Sequence, residues 1–255
     1  MQASSVWILG LRNLWRDLRA GELRLIIVAV LLAVAALTSV GFFADRLQAG
    51  LQRDARQLLG GDVVVVSDNP TPAAFVDQAQ QQGLQTVATA SFPTMARADQ
   101  AQGGASRLVA LKSVEPGYPL RGVIQLNQGA GQPGQEVRAI PESGSVWVDA
   151  PLLEALGLKL GDALLLGDSS FLISHIIVVE PDRGAGFMSF APRVMINSAD
   201  LPATRLVQPA SRITYRLAVA GASDAGRSGE QTAQPYLAWA QEQAKTEHGV
   251  RIESL

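Results

Sequence analysis

A run of 20 residues without a charged side chain, residues 25–44, is the feature that most constrains this chain. A helix rises about 1.5 Å per residue and the hydrocarbon core of a bilayer is about 30 Å thick, so the run has the length of a membrane span. A cleaved signal peptide has a shorter apolar region, and a core helix rarely needs so long a run. Although residues 39–41 fit a small-x-small cleavage pattern, we predict a retained transmembrane helix over 25–44.

The segment ahead of the span indicates its orientation. Residues 1–24 carry four arginines against two acidic residues, and an excess of arginine favours the cytoplasmic side. One helical face would collect Trp7, Leu11, Leu14, Trp15 and Leu18. We therefore predict a cytoplasmic amphipathic helix at the membrane surface over residues 1–24, and a plain topogenic flank is the alternative.

Composition limits the partners and the source of stability. Beyond residue 24 the chain has 17 basic and 21 acidic residues, which argues against nucleic acid as a partner, because nucleic acid requires a basic patch. The chain has no cysteine, so a domain outside the cytoplasm would be held together by a packed core without disulfides. The residues that follow the span are numerous enough to form such a core.

The helical pattern continues beyond the span. Apolar residues recur at helical spacing at Leu47, Leu51, Ala55 and Leu58. Two glycines, residues 60–61, then end the pattern, because glycine commonly terminates helices. We predict that residues 45–59 extend the span as a stalk, and that Leu47, Leu51 and Leu58 couple the span to the domain behind it.

The remaining residues predict an α+β fold. A strand–helix–strand pattern is indicated by residues 62–66, 71–83 and 84–92, with a hairpin partner at 107–114. The pattern returns in residues 211–220, 236–247 and 249–252. Short strands and a stretch rich in glycine, proline and glutamine, residues 117–144, lie between these two parts, and residues 128–135 within that stretch are predicted as a loop. We predict that a β-rich module, residues 116–204, is inserted into an α+β unit made from residues 45–115 and 205–255.

Motifs that would support catalysis are missing. His175 lies in an apolar strand and His248 near a predicted helix end, so both have simple structural interpretations. Ser174 or Ser211 could join a catalytic triad, but the chain has no G-x-S-x-G nucleophile elbow. The sequence also lacks a P-loop and an H-E-x-x-H metal motif. We predict that the chain is not an enzyme and has no catalytic, cofactor-binding or metal-binding residues.

One loop carries apolar residues that we expect to be exposed. In the segment EPDRGAGFMSF, residues 180–190, the two glycines follow a predicted strand without opening a clear helix. We predict that Phe187, Met188 and Phe190 contact a lipid, a hydrophobic substrate or a partner chain. Packing of these side chains onto the domain itself is the alternative.

Several segments in a fixed order resemble a known family. They are LRNLWRDLRAGELR before the span, LLGGDVVV at the end of the stalk, YPLRG, VWVDAPLLEALGLKLGD, EPDRGAGFMSFAPRVMIN and SRITYRL. Together they resemble the N-terminal part of an ABC transporter permease of the MacB/FtsX/LolCE superfamily, and within it the YbbP-like permeases, often described as associated with lysophospholipase. The resemblance covers essentially the whole chain.

The resemblance implies a fold and a mechanical function. The fold would be a Porter-like α+β periplasmic domain with an inserted β-rich, sabre-like module, anchored in the inner membrane with the N-terminus in the cytoplasm. ATP would be hydrolysed on a separate cytoplasmic ABC ATPase, and the resulting motion would export or extract a hydrophobic or lipid-like substrate. The implied partners are this ATPase and membrane lipid, with a second permease copy or a periplasmic lipase or esterase as further options.

Permeases of this kind have additional spans after the outer domain. The resemblance therefore implies that this chain is the front part of a longer protein. The alternative is a single-pass anchored protein whose periplasmic domain binds a ligand or serves as a scaffold, without transport activity. A natural stop codon after Leu255 and no neighbouring ATPase gene would favour that alternative.

Overall fold

The computed structural model of the protein describes residues 22–129, 133–183, 187–209, 211–222 and 228–254. Two compact units meet in sequence after Arg53. Most of the predicted amphipathic segment, residues 1–24, lies outside the described residues, so that helix stays a prediction.

The predicted span and stalk form one helix. Helix α1, Glu22–Leu59, runs for 38 residues without interruption. Within it, the 25 residues Arg24–Gln48 are long and apolar enough to cross a membrane, and none of them is buried. The prediction of an N-terminal apolar helix is therefore confirmed. The coupling function of the three stalk leucines stays a prediction, and the Leu51 side chain lies outside the described residues.

The rest of the described chain mixes strands and short helices. The strands are β1 Val63–Ser67, β2 Gln85–Ala98, β3 Ser106–Val114, β4 Ile124–Asn127, β5 Gln135–Val137, β6 Ser145–Asp149, β7 Ala163–Leu166, β8 Ser169–Val179, β9 Arg193–Asn197, β10 Thr214–Ala220 and β11 Val250–Ser254. The helices after α1 are α2 Ala73–Gln81, α3 Ala150–Leu156, α4 Phe187–Phe190, α5 Leu201–Thr204 and α6 Gly229–Ala244. The predicted α+β class is confirmed.

Residues from both ends of the domain share one hydrophobic core. Strands β11, β1, β10 and the first half of β2 are adjacent and antiparallel, and α2 and α6 contribute side chains to the same core. Phe75 and Tyr236 come from the two helices, and the Tyr236 hydroxyl donates a hydrogen bond of 3.1 Å to the Phe75 carbonyl oxygen. All five residues of β1 are buried, as its unbroken valine run predicts for a strand covered on both faces.

A second core fills a closed barrel of six strands. The hydrogen-bonded order is β2, β3, β9, β6, β8 and β7, and β7 pairs back to β2. The β3–β9 and β6–β8 pairs are parallel and the others antiparallel. Side chains of α3 complete the core. Closure leaves these six strands without a free edge in this ring.

The long strand β2 belongs to both parts. Its first half, from Gln85 to Ser91, pairs with β10, whereas Ala96–Ala98 pairs with β7. The strands of the predicted inserted module are therefore hydrogen-bonded to β2 and β3 in one continuous sheet rather than in a sheet of their own. The boundaries 45–115, 116–204 and 205–255 remain a prediction.

Two local predictions were incomplete. The segment 117–144, in which we predicted only the loop 128–135, also contains β4 and β5, and the β4 side chains Ile124 and Leu126 pack on the outer wall of the barrel. Strands of four and three residues give almost no periodic signal. Helix α6 begins at Gly229 rather than near residue 236, because Ser228 and Gln231 form a capping box that our reading of residues 221–234 as a loop missed.

Candidate functional site

A network of charged side chains, all of them buried except the partly exposed Arg183, lies at the base of the segment 180–193. Its members are Lys112 on β3, Asp149 at the end of β6, Glu180, Asp182 and Arg183 directly after β8, and Arg193 at the start of β9. Lys112 is 1% exposed and Arg193 is 2% exposed. The three basic and three acidic side chains balance in charge, which is the condition under which charges tolerate burial.

Lys112 occupies the centre of this charge network. Its ammonium donates hydrogen bonds to the Tyr118 hydroxyl at 2.8 Å, to Glu180 Oε1 at 2.9 Å and to Asp182 Oδ1 at 2.6 Å. The Tyr118 hydroxyl donates in turn to Asp182. All three ammonium protons therefore have acceptors, and the Tyr118 hydroxyl is held between Lys112 and Asp182.

Arg183 and Arg193 hold the two ends of the segment between β8 and β9 in place through hydrogen bonds. Arg193 Nε donates to Glu180 Oε2 at 2.7 Å, and its Nη2 donates to the carbonyl oxygen of Arg183 at 2.8 Å. Asp149 accepts from Arg183 Nη2 at 2.6 Å and from the backbone N–H of Arg193 at 3.0 Å. The base of the loop is thus held by side chains from three strand ends.

The network shifts the pKa of one member, Asp182, and that of the adjoining Tyr118. Burial raises the pKa of Tyr118 well above its usual value, and the nearby charges of Asp182 and Glu180 raise it further. Burial opposes ionisation of Asp182, but the charge of Lys112 and hydrogen bonds from Lys112 and Tyr118 outweigh it, so the pKa of Asp182 lies below its usual value. Asp182 is therefore a carboxylate and Tyr118 a neutral donor at physiological pH.

The Asp182 charge is expected to contribute a pH-dependent part of the stability. Because its folded-state pKa is depressed, this stabilisation is fully present above the unfolded pKa of about 3.9 and is lost as pH falls through the folded value. The difference in thermal midpoint between the unmodified chain and Asp182→Asn should therefore be largest above about pH 5 and shrink toward pH 2. Asp168→Asn, at an exposed carboxylate, is the control. A difference that stays constant down to pH 2 would contradict the ionised state of Asp182.

Residues 187–190, predicted as part of a loop, form the short helix α4, whose last residue Phe190 lies beside an exposed apolar pair. Phe190 is 87% exposed and lines a cavity of about 370 Å³ together with Leu108. Leu108 lies directly opposite Met95 in the β2–β3 ladder, and both side chains are exposed. We call Met95, Leu108 and Phe190 the apolar surface. The side chains of Phe187 and Met188, predicted to act with Phe190, lie outside the described residues.

The histidines and serines considered from sequence do not assemble into a catalytic group among the described residues. His175 packs its ring against Trp147, with 5.8 Å between ring centroids. Ser174 Oγ donates to the Val146 carbonyl oxygen at 3.4 Å, while Ser211 Oγ accepts from the backbone of Gln208 at 3.0 Å. In the described ranges no three acidic or histidine side chains are grouped as metal ligands. The absence of enzyme activity stays a prediction.

Sequence reasoning missed the charge network itself. Lys112 stands in the apolar run VALKSV and Arg193 directly before the run VMIN. A charged residue inside a predicted buried strand is a signal of a buried partner, because an unpaired charge there would be very costly. The partners Glu180 and Asp182 were visible in the EPDR segment, but no local rule joins them to Lys112.

Comparison with known proteins relates this chain to one protein family and to a permease from Escherichia coli. The family described as MacB-like periplasmic core domain matches residues 25–234. The uncharacterized ABC transporter permease YbbP of Escherichia coli (strain K12) is 35% identical over 210 residues, which are 82% of this chain and 25% of YbbP. The chain therefore spans about a quarter of the length of that relative.

Solved structures show weaker similarity. The periplasmic region of MacB from Actinobacillus actinomycetemcomitans has a TM-score of 0.45 at 10% identity, covering 78% of this chain and 91% of that one. The extracellular domain of the noncanonic ABC-type transporter YknZ from Gram-positive bacteria has a TM-score of 0.45 at 11% identity, covering 75% of this chain and all of the other.

An apolar helix that leads into an α+β domain of this family defines a class of protein, the ABC transporter permease with a periplasmic domain. This chain belongs to the MacB-like periplasmic core domain family. The resemblance stated from the sequence is thereby confirmed. YbbP is named as an ABC transporter permease, and the matching family is described as a periplasmic core domain.

Proposed function

We propose that this chain carries motion from the membrane to the periplasmic domain of an ABC permease. A separate cytoplasmic ATPase would drive the motion, with the N-terminus of the chain on the cytoplasmic side. The observation that carries the proposal is the continuity of α1, whose single run of 38 residues extends beyond the apolar stretch to Leu59. An unbroken helix keeps its backbone hydrogen bonds along its whole length, so displacement at one end moves the other.

We further propose that the substrate is hydrophobic or lipid-like, and is exported or extracted by the complete permease. The apolar surface supports this, because an exposed phenylalanine beside two exposed apolar side chains suits contact with an acyl chain. The charge network supports it as well, since it holds the base of the loop that presents Phe190. Membrane lipid is then both the solvent of α1 and the source of the substrate.

A proline at Leu51 is expected to uncouple ATP hydrolysis from the periplasmic domain. An interior proline removes a helical hydrogen bond and costs about 3 kcal/mol or more, so α1 should kink or break at that point. In the complete permease with its ATPase, Leu51→Pro should keep ATP hydrolysis. It should lose the ATP-dependent change in hydrogen exchange of the periplasmic domain. Leu51→Ala, which preserves the helix, is the control. An exchange response that survives Leu51→Pro would remove α1 from the relay.

A further inference from the structure

The end of α1 leads directly into an ion pair with a buried carboxylate and a partly exposed arginine. Asp62, three residues after the helix, has a side chain that is 2% exposed. Arg121 grips it with two parallel hydrogen bonds, from Nε to Oδ1 at 3.0 Å and from Nη2 to Oδ2 at 2.6 Å. The backbone N–H of Gly221 donates a third, at 3.0 Å, to Oδ2. We call Asp62, Arg121 and Gly221 the clamp.

The clamp joins three distant segments of the chain. Arg121 Nη2 also donates to the Gly221 carbonyl oxygen at 2.7 Å, and the backbone N–H of Arg121 donates to the Gly60 carbonyl oxygen at 3.2 Å. The backbone N–H of Asp62 donates to Val219 at the end of β10, at 2.9 Å. The chain leaving α1 is therefore fixed to the segment after β3 and to the strand end of β10. Bidentate arginine–carboxylate pairs of this kind are geometrically specific as well as strong.

Close packing leaves the clamp little freedom. A Cβ added to Gly229, the first residue of α6, would lie 2.4 Å from Arg121 Nη2 and 3.0 Å from Asp62 Oδ2. Gly60 has a φ of +78°, and a Cβ there would lie 3.1 Å from the Cβ of Asp182. The helix end thus touches the clamp on one side and, through Asp182, the charge network on the other.

The leucines predicted to couple the stalk contrast with the clamp. Leu58, one turn before the clamp, is 70% exposed, so it makes little apolar contact within the described chain. A side chain with few contacts transmits displacement poorly, whereas an ion pair with a buried carboxylate and several directed hydrogen bonds resists it.

We propose that the Asp62–Arg121 pair is the joint through which α1 drives the periplasmic domain. This proposal rests on the relay proposed above. It gives the YPLRG segment, which contains Arg121, the function of holding the helix end.

The test uses the complete permease with its ATPase in proteoliposomes. Arg121→Ala, Asp62→Asn and the double variant are compared with Arg205→Ala, which removes an arginine from an exposed pair with Asp168 at 3.7 Å. The two readouts are ATP hydrolysis and the ATP-dependent change in hydrogen exchange of the periplasmic domain. Thermal unfolding of each variant shows that it is folded, and Asp62→Asn keeps the shape of the side chain if Arg121→Ala does not fold.

Each single clamp variant is expected to reduce the ATP-dependent exchange response severalfold, while ATP hydrolysis stays within about twofold of the unmodified rate. The double variant should lose no more than either single variant, because the two side chains act as one unit. Arg205→Ala should respond like the unmodified protein. A full response in folded Asp62→Asn or Arg121→Ala, with Leu51→Pro still uncoupled, would overturn the clamp alone. An unmodified permease without any ATP-dependent response would overturn both the relay and the clamp.

Discussion

Replacement of Lys112 by methionine is expected to lower the free energy of unfolding of the periplasmic domain by about 3–5 kcal/mol. The change removes the positive charge at the centre of the charge network and leaves Glu180 and Asp182 buried with one fewer partner. Breaking a buried pair costs much more than breaking an exposed one, because the carboxylates that lose a partner cannot regain it from water. Methionine approximates the length of lysine, so the loss reports charge rather than volume.

The matched control for this change is Lys245→Met. Lys245 pairs with Glu242 at 2.6 Å, but both side chains are largely exposed, and such pairs contribute about 0–1 kcal/mol. Urea unfolding of the whole chain in detergent, followed by tryptophan fluorescence, measures both variants. A loss of less than about 1 kcal/mol for Lys112→Met would mean that the charge network adds little to stability.

Two phenylalanine-to-alanine changes are expected to have opposite consequences. Phe75 is fully buried, and its ring meets that of Trp239 with centroids 5.3 Å apart, so Phe75→Ala should cost about 3–5 kcal/mol of unfolding free energy. Phe190→Ala at the exposed loop should change it by less than about 0.5 kcal/mol. The same unfolding measurement compares the two variants directly.

Phe190→Ala, which is expected to leave the stability nearly unchanged, should have a large effect on substrate release. If the apolar surface contacts a lipid-like substrate, Phe190→Ala in the complete permease should reduce ATP-dependent release of a fluorescent phospholipid from proteoliposomes severalfold while stability is kept. A Phe190→Ala variant that releases the phospholipid at the unmodified rate would remove Phe190 from substrate contact. A loss of stability above 1 kcal/mol would instead favour the alternative, in which Phe190 packs onto the domain.

Several elements could be predicted because their signals are local. The uncharged run and the leucines behind it predict the helix that the structure shows as α1, and the valine run predicts β1. The short helix α3 ends where Gly157, in the left-handed region with a φ of +66°, allows the backbone to turn. The family resemblance, read from the order of segments, was confirmed by the match over residues 25–234.

Other features depend on contacts that no local pattern encodes. Closure of the six-stranded barrel depends on the pairing of Ala96–Ala98 with β7. Neither segment carries a sequence pattern that indicates which strand it pairs with. The start of α6 could have been found from Ser228 and Gln231, so that error was one of interpretation.

The sequence by itself determined the long apolar helix, the α+β class, the family and most of the elements, because periodicity, β-branched runs and glycine act over a few neighbouring residues. Only the tertiary structure decided which charges meet. Asp62 and Arg121 are 59 residues apart in sequence, and Lys112 and Glu180 are 68 apart. Each is an ordinary charged residue in its own segment. They become a clamp and a buried network because sheet pairing brings separate strand ends together, and burial then requires each charge to find a partner.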